Sequence, residues 1–273
     1  ISLLIIDPQF DFCNPLGSLY VPGANEDMQR LGKMIKKMKD TIFQIYVTMD
    51  CHYLFDIAHP QFWENNQGKN PNPFTIITHQ DVVNEVWKPS GKESSNYKAT
   101  KEYVKKYTKT LEDSGKHVLC IWPPHCLIGH KGNNIYPPLY EAINEWQKDS
   151  FNNVNFILKG LNTLTEHYCA IKAEVPDKND PSTQTNFNVI KEIEKSDIIL
   201  TAGEAGSHCW KETIFDIAEN FSDTNYINKL VMLEDAVSPV PKIENGPDFP
   251  AIQNQFVQEM KNKGMKSAKT SDF

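Results

Sequence analysis

Ile1-Ser2-Leu3-Leu4-Ile5-Ile6-Asp7 opens the chain as a short apolar run that stops abruptly at a carboxylate. It is too brief for a core helix and has no basic lead, so it reads as a buried strand over 2–7 rather than a secretory leader. With no initiator Met before Ile1, some residues are expected to precede it. The same signature recurs at 43–49, which ends on Asp50, and at 155–158, which runs into Lys159. It returns at 198–201, before a Gly/Ala turn, at 230–233, before Glu234 and Asp235, and more weakly at 266–270 as a short edge strand.

Helical patterns separate these runs. Over 23–40, Met28, Leu31, Met34, Ile35 and Met38 fall on one face at i, i+3, i+4 spacing. Further helices are expected at 139–148, 165–173, 186–194, 209–220 and 251–263. Strands alternating with helices, with no hairpin turns between them, imply βαβ crossovers and a parallel sheet covered on both faces, a three-layer α/β/α architecture. An all-helical chain is the poorer reading, because the apolar runs are brief, β-branched and followed by polar residues. In open parallel sheets chemistry collects at the carboxyl ends of the strands. Asp7, Asp50, Lys159 and the loop carrying Cys209 all fall at such ends, so one crevice could hold all four.

Residues 64–117, rich in Asn, Lys, Gly and Pro and with a helix expected at 100–113, read as an insertion decorating this core, either a lid or an oligomer contact. The formal charge of −7 argues against nucleic acid or an anionic membrane as partner, since both need dense Lys/Arg. No apolar run approaches the ~20 residues of a membrane span. Six cysteines without a C-x-x-C pair fit a reducing, cytoplasmic setting better than a disulfide scaffold.

Thr201-Ala-Gly-Glu-Ala-Gly-Ser-His-Cys209-Trp210 leads a strand through small residues to a cysteine that opens a helix. A thiol there meets the positive end of the helix dipole, and the small residues bring backbone amides close to a substrate oxyanion. Cys209 is therefore the candidate nucleophile. Asp7 and Lys159 are its candidate acid–base and charge partners, because a charge ending an apolar strand is costly unless paired. Asp50-Cys51-His52 places two ligand types two residues apart on one side of an extended chain. With His59, and with His125 on the stiff Trp122-Pro123-Pro124-His125-Cys126 stretch, it suits Zn²⁺, Fe²⁺ or Mn²⁺. Phe12 and Trp122 either sandwich a flat ring or belong to the core. His208 reads as a supporting residue, Glu166 and His167 as pocket-lining or, the better reading, helix-face residues, and His79, His117 and His130 as surface. Cys13, Cys51, Cys120 and Cys126 read as packing near the site.

Asp7-Pro8-Gln9-Phe10-Asp11-Phe12-Cys13, Asp50-Cys51-His52, Trp122-Pro123-Pro124-His125-Cys126, Lys159-Gly160 and Ser207-His208-Cys209 together resemble, in order, the motifs of nicotinamidases in the isochorismatase-like cysteine hydrolase superfamily. The resemblance runs from Ile1 to about Val237. It implies one hydrolase domain over 1–273 with a six-stranded parallel sheet, and Asp7, Lys159 and Cys209 as catalytic triad. It implies an oxyanion hole from the N–H groups of Ala205, after a non-proline cis peptide, and Cys209. Asp50, His52, His125 and His59 would bind the metal, zinc foremost, and Phe12 and Trp122 would flank a pyridine ring. The implied reaction is nicotinamide to nicotinate and ammonia in NAD salvage, on a free small amide, with self-association left open. A relative acting on another small amide or a vinyl ether, and a scaffold that has lost turnover, are the alternatives. Cys51 and Trp210 depart from the family pattern and, with the long insertion, are expected to reshape the entrance.

Overall fold

The computed structural model describes residues 1–91, 96–242 and 247–273. Six strands form one sheet: β1 (Ser2–Ile6), β2 (Gln44–Asp50), β3 (Asn155–Lys159), β4 (Ile199–Gly203), β5 (Leu230–Leu233) and β6 (Lys266–Ala268). Their order is β6-β5-β4-β1-β2-β3, and every pairing is parallel. The chain starts in the middle of the sheet, grows outward through β2 to β3, and then crosses to the other side of β1. That reversal leaves a crevice at the carboxyl ends of β1, β2 and β4.

β1 is buried along its whole length, and its side chains alternate between two cores. Leu3 and Ile5 join Met28, Leu31 and Ile35 of α1 (Ala24–Lys37), while Leu4 and Ile6 face the opposite layer. α3 (Pro137–Ser150) packs beside α1 through Leu139, Ala142, Ile143 and Trp146. On the other face α4 (Phe187–Glu194), α5 (Cys209–Glu219) and α6 (Phe249–Lys263) supply Ile190, Ile214, Ile217, Phe256 and Met260. Each such fully buried side chain is worth about 1.5–3 kcal/mol of transfer free energy. The α/β/α layering and all six predicted strands are thus present, with the last one shortened to three residues.

Residues 64–117 join the stretches that flank them in a third apolar cluster. α2 (Tyr97–Asp113) contributes Val104, Tyr107 and Leu111, which meet Ile57, Phe62, Trp63, Ile77 and Ile121. Two short antiparallel ribbons, Trp63–Glu64 with Lys88–Pro89 and Ile76–Ile77 with Leu119–Cys120, tie this cluster down. Residues 92–95 of the expected insertion lie outside the described residues.

One expected helix is not there. Residues 165–173 are irregular, because their backbone polar groups bond to other parts of the fold instead of to each other. The Glu166 amide donates to the Tyr107 hydroxyl, the Ala170 amide to Thr213 Oγ1, and the His167 carbonyl accepts from Lys159. The apolar spacing that suggested a helix here reflects burial from several sides.

Candidate active site

Asp7 follows β1 with φ at +42°, a left-handed value held by the surrounding bonds. Its amide donates to Thr48 Oγ1 at 3.0 Å, and the Thr48 hydroxyl donates back to Asp7 Oδ1 at 2.5 Å. Lys159 ends β3 directly opposite Asp50 in the ladder. Its ammonium lies 3.0 Å from Asp7 Oδ2, 3.0 Å from Asp50 Oδ1 and 3.6 Å from Cys209 Sγ, and donates to the His167 carbonyl at 2.8 Å. Gly160, at φ +79°, follows at once, and a Cβ there would meet Asp50 Oδ1 at 3.0 Å. Asp7, Lys159 and Cys209, far apart in sequence, are therefore in mutual contact.

Burial raises the Asp7 carboxyl above its usual range, Lys159 draws it back, and Asp50 lifts it further. Burial also pushes the Cys209 thiol well up; Lys159 pulls it back, and Asp7 and Asp50 lift it again. Lys159 stays charged: burial disfavours its ammonium, but Asp50, Asp7 and Cys209 together hold its proton firmly. The Asp7 carboxyl thus stands within hydrogen-bonding reach of the Cys209 thiol, and burial works against the thiolate that the helix N-terminus favours. The amides of Ala205 and Cys209 donate to no acceptor among the described residues. The Glu204–Ala205 peptide is cis, as the motif resemblance implied.

Beside Lys159 lies the second group. Asp50 Oδ2 is 3.0 Å from His52 Nε2 and 3.3 Å from His125 Nε2, and His59 Nε2 is 3.4 Å from His125 Nδ1. The ligand atoms of the three histidines lie within 4.8 Å of one another. Donors ~2.1 Å from one ion stand roughly 3.0–3.4 Å apart, a spacing that Asp50 Oδ2 keeps with His52 Nε2 and His125 Nε2, while His59 comes within 4.8 Å of the other two rings' nitrogens, a donor set suited to a divalent cation. Outer partners orient the rings. His52 Nδ1 meets Asp56 Oδ2 at 3.1 Å and His59 Nδ1 meets the Tyr53 carbonyl at 3.1 Å, the backing that ligating histidines usually have. Burial, with His125 and His52 close by, pushes His59 down to about 2, which keeps its imidazole neutral and able to ligate.

The opening motif accounts for this closeness. Gln9 pairs with the Asp50 backbone like a neighbouring strand, donating to its carbonyl and accepting from its amide, both at 2.7 Å. Asp11 Oδ2 accepts from the Cys126 amide at 2.7 Å, fixing the turn that presents His125. Phe12 then packs edge-on to His125, with ring centroids 5.4 Å apart. Phe12, Trp122, Ala205, His208 and Cys209 line one cleft of about 410 Å³, whose remaining walls include Leu19, Val21 and Val240.

No family model matches the chain. By sequence it is similar to the nicotinamidase of Saccharomyces cerevisiae, 23% identical over 260 residues that make up 95% of each chain. Among solved structures, the yeast nicotinamidase bound to the inhibitor nicotinaldehyde superposes with TM-score 0.63 at 20% identity, over 98% of this chain and 99% of that one. The pyrazinamidase of Pyrococcus horikoshii in complex with zinc gives TM-score 0.54 at 18% identity, over 98% of each chain. The fold is that of the nicotinamidases. Both comparisons bear out the resemblance drawn from the motifs.

Within that nicotinamidase fold, several placements differ from the sequence reading. Glu166 and Tyr168 line the cleft from the irregular segment after β3, and not from a helix face. Tyr168 accepts a 3.0 Å bond from Trp122 Nε1 and so fixes the indole plane. His117 is not a surface residue but pairs with buried Glu212 at 3.1 Å. Trp210 does not shape the entrance: it is fully buried and packs on Phe256 of α6. Cys51 is core as well. Tyr168 carries no motif and was missed, whereas the closeness of Glu166 to Lys159 had suggested a pocket position as an alternative.

Proposed function

We propose that this protein is an amidohydrolase that converts nicotinamide to nicotinate and ammonia through a thioester on Cys209. The observation that carries this reading is the contact of Asp7, Lys159 and Cys209 beside the Asp50/His52/His59/His125 group, both opening on one aromatic-walled cleft. Its relatives by sequence and structure are nicotinamidases, one of them bound to nicotinaldehyde.

In this mechanism Asp7 takes the Cys209 proton as sulfur attacks the carboxamide carbon. The amides of Ala205 and Cys209 receive the developing oxyanion. Asp7 hands the proton to the departing nitrogen, ammonia leaves, and a thioester remains. Asp7 next draws a proton from water, whose oxygen attacks the thioester, and nicotinate departs as the thiol is restored. Lys159 stays positive throughout and holds both carboxylates in place. Phe12 and Trp122 sandwich the ring. A divalent ion, zinc best matching three imidazoles and a carboxylate and Fe²⁺ or Mn²⁺ next, supplies Lewis acidity toward water or the ring nitrogen when held by Asp50, His52, His59 and His125. The product would return to pyridine-nucleotide synthesis in the cytoplasm, in keeping with six free thiols.

The test is ammonia release from nicotinamide by Cys209→Ala, compared with benzamide and an aliphatic amide as alternative substrates. A loss of at least about a thousandfold is expected. Undiminished release by the variant would reject the mechanism, and a preference for the aliphatic amide would reject the substrate.

A further inference from the structure

Glu204, the residue between β4 and Ala205, is fully buried, and its carboxyl meets that of Asp27 on α1 across a hydrogen bond. Two ionised carboxylates are both acceptors, so this contact requires a proton between them. The other oxygens are already served. Asp27 Oδ1 accepts from Arg30, Asp27 Oδ2 accepts from the Ser238 hydroxyl at 2.6 Å, and Glu204 Oε2 accepts from the Ser238 amide at 3.2 Å. Glu204 Oε1 alone meets no donor among the described residues, and a proton on it satisfies it. One proton also eases the charge, because Arg30 already faces the carboxylates of Asp27 and, at 4.0 Å, Asp235, and a third negative charge on Glu204 would go uncompensated.

Ser238 joins this pair to the nucleophile loop. Its carbonyl accepts from the Gly206 amide at 2.8 Å, and two residues on, the Val240 amide donates to Ser207 Oγ at 3.1 Å. The loop from Glu204 to Ser207 is therefore fastened through Ser238 and Asp27 to α1, a helix that reaches none of the reacting groups itself.

We propose that Glu204 and Asp27 are a proton-sharing carboxyl pair that positions the Ala205 amide for the oxyanion. The proposal rests on the reading of Ala205 and Cys209 as oxyanion donors. Burial, and then Asp27, hold Glu204 well above the usual carboxylate range, and burial also raises Asp27. The other titratable and charged groups around the pair are Arg30 on α1, Asp235 beyond β5 (its carbonyl accepts from Arg30 Nε at 2.6 Å), the Cys13 thiol, and Asp7 beyond Cys13.

The experiment compares Glu204→Ala and Glu204→Gln in kcat, KM and thermal midpoint across pH. A misplaced oxyanion donor costs roughly tenfold to a hundredfold in kcat with KM little changed, which is the loss expected of the alanine variant. In Glu204→Gln the side-chain amide donates the hydrogen bond that the proton supplies, so most of that kcat returns. A folded-state pKa above the unfolded one gives stability that is complete at low pH and lost as pH rises toward the raised value. The wild-type midpoint therefore falls relative to that of Glu204→Gln as pH rises above the ordinary glutamate range. Unchanged kcat in Glu204→Ala, equal losses in both variants, or a midpoint difference flat with pH would overturn the pair. Wild-type protein inert toward nicotinamide would instead sink the functional reading, while the midpoint arm, which needs only the isosteric glutamine variant, still decides the pair.

Discussion

The site has two halves built in different ways. Asp7, Asp50 and Lys159 stand on the ends of adjacent parallel strands, fully or nearly fully buried, with Asp50 and Lys159 opposite each other in the ladder. His59, Trp122, His125, Glu166 and Tyr168 hang on irregular segments, placed by single bonds such as Trp122 to Tyr168 and Glu166 to Tyr107. In the first half the sheet's backbone leaves the charged groups no room to relax, so their mutual fields stay strong. In the second, position depends on the apolar cluster of 64–117, which underlies the loops from Ile57 to Ile121. The strand-end charges are set by the ladder, and the loop histidines and walls by the apolar cluster beneath them.

The largest effect should come from cutting the sheet-borne half at its centre. Lys159→Met leaves Asp7 and Asp50 buried beside one another without the cation between them. Removing one partner of a buried ion pair costs about 3–5 kcal/mol, and activity should fall at least about a thousandfold at the same time. Urea unfolding followed by fluorescence reads the first, ammonia release the second. A variant that is inactive yet fully stable would mean that Lys159 serves chemistry alone and that the strand ends tolerate two carboxylates.

The same division explains what the amino-acid sequence makes legible. All six strands, and the charges at their tips, could be read because a brief β-branched run ending in Asp or Lys is seldom anything but a buried strand, and because parallel topology then dictates where the tips meet. A candidate metal group was legible in Asp50, His52 and the proline-stiffened His125. Even His59, seven residues beyond His52 on a loop, lies with its partners. Glu166, Tyr168 and the true state of 165–173 were not readable, since an irregular segment buried from several sides has the apolar density of a helix without its hydrogen bonds. Nor was the environment of Cys209 readable: a helix N-terminus favours a thiolate, whereas burial and two neighbouring carboxylates push the thiol up.

On the loop-borne half, His59→Ala sharpens the contrast. Its ring carries one of the three clustered nitrogens, yet it sits on a segment anchored by other contacts, including Trp63 Nε1 on the Ile57 carbonyl at 2.7 Å. The protein should keep its thermal midpoint within a few degrees while affinity for a divalent ion drops at least about tenfold. Dialysis against a graded chelator series followed by elemental analysis measures this. Equal metal retention by variant and wild type would make His59 a bystander and reduce the group to Asp50, His52 and His125.

The smallest effect is the most discriminating, because it replaces no residue of the cleft. Tyr107, on α2 and almost wholly buried, accepts the Glu166 amide at 3.0 Å, and its neighbour Tyr103 donates to the Leu164 carbonyl at 2.8 Å. These two phenols connect the third apolar cluster to the wall that carries Glu166 and Tyr168. Tyr107→Phe keeps the ring and its packing but deletes the acceptor, at a cost of about 1 kcal/mol. If the insertion acts by holding the wall, that loss should be felt in binding: KM rises about fivefold, as 1 kcal/mol allows, while kcat stays near wild type. Should kcat fall with KM unchanged, α2 would be coupled to Lys159 through the His167 carbonyl, and the insertion would belong with the reacting charges rather than with the walls.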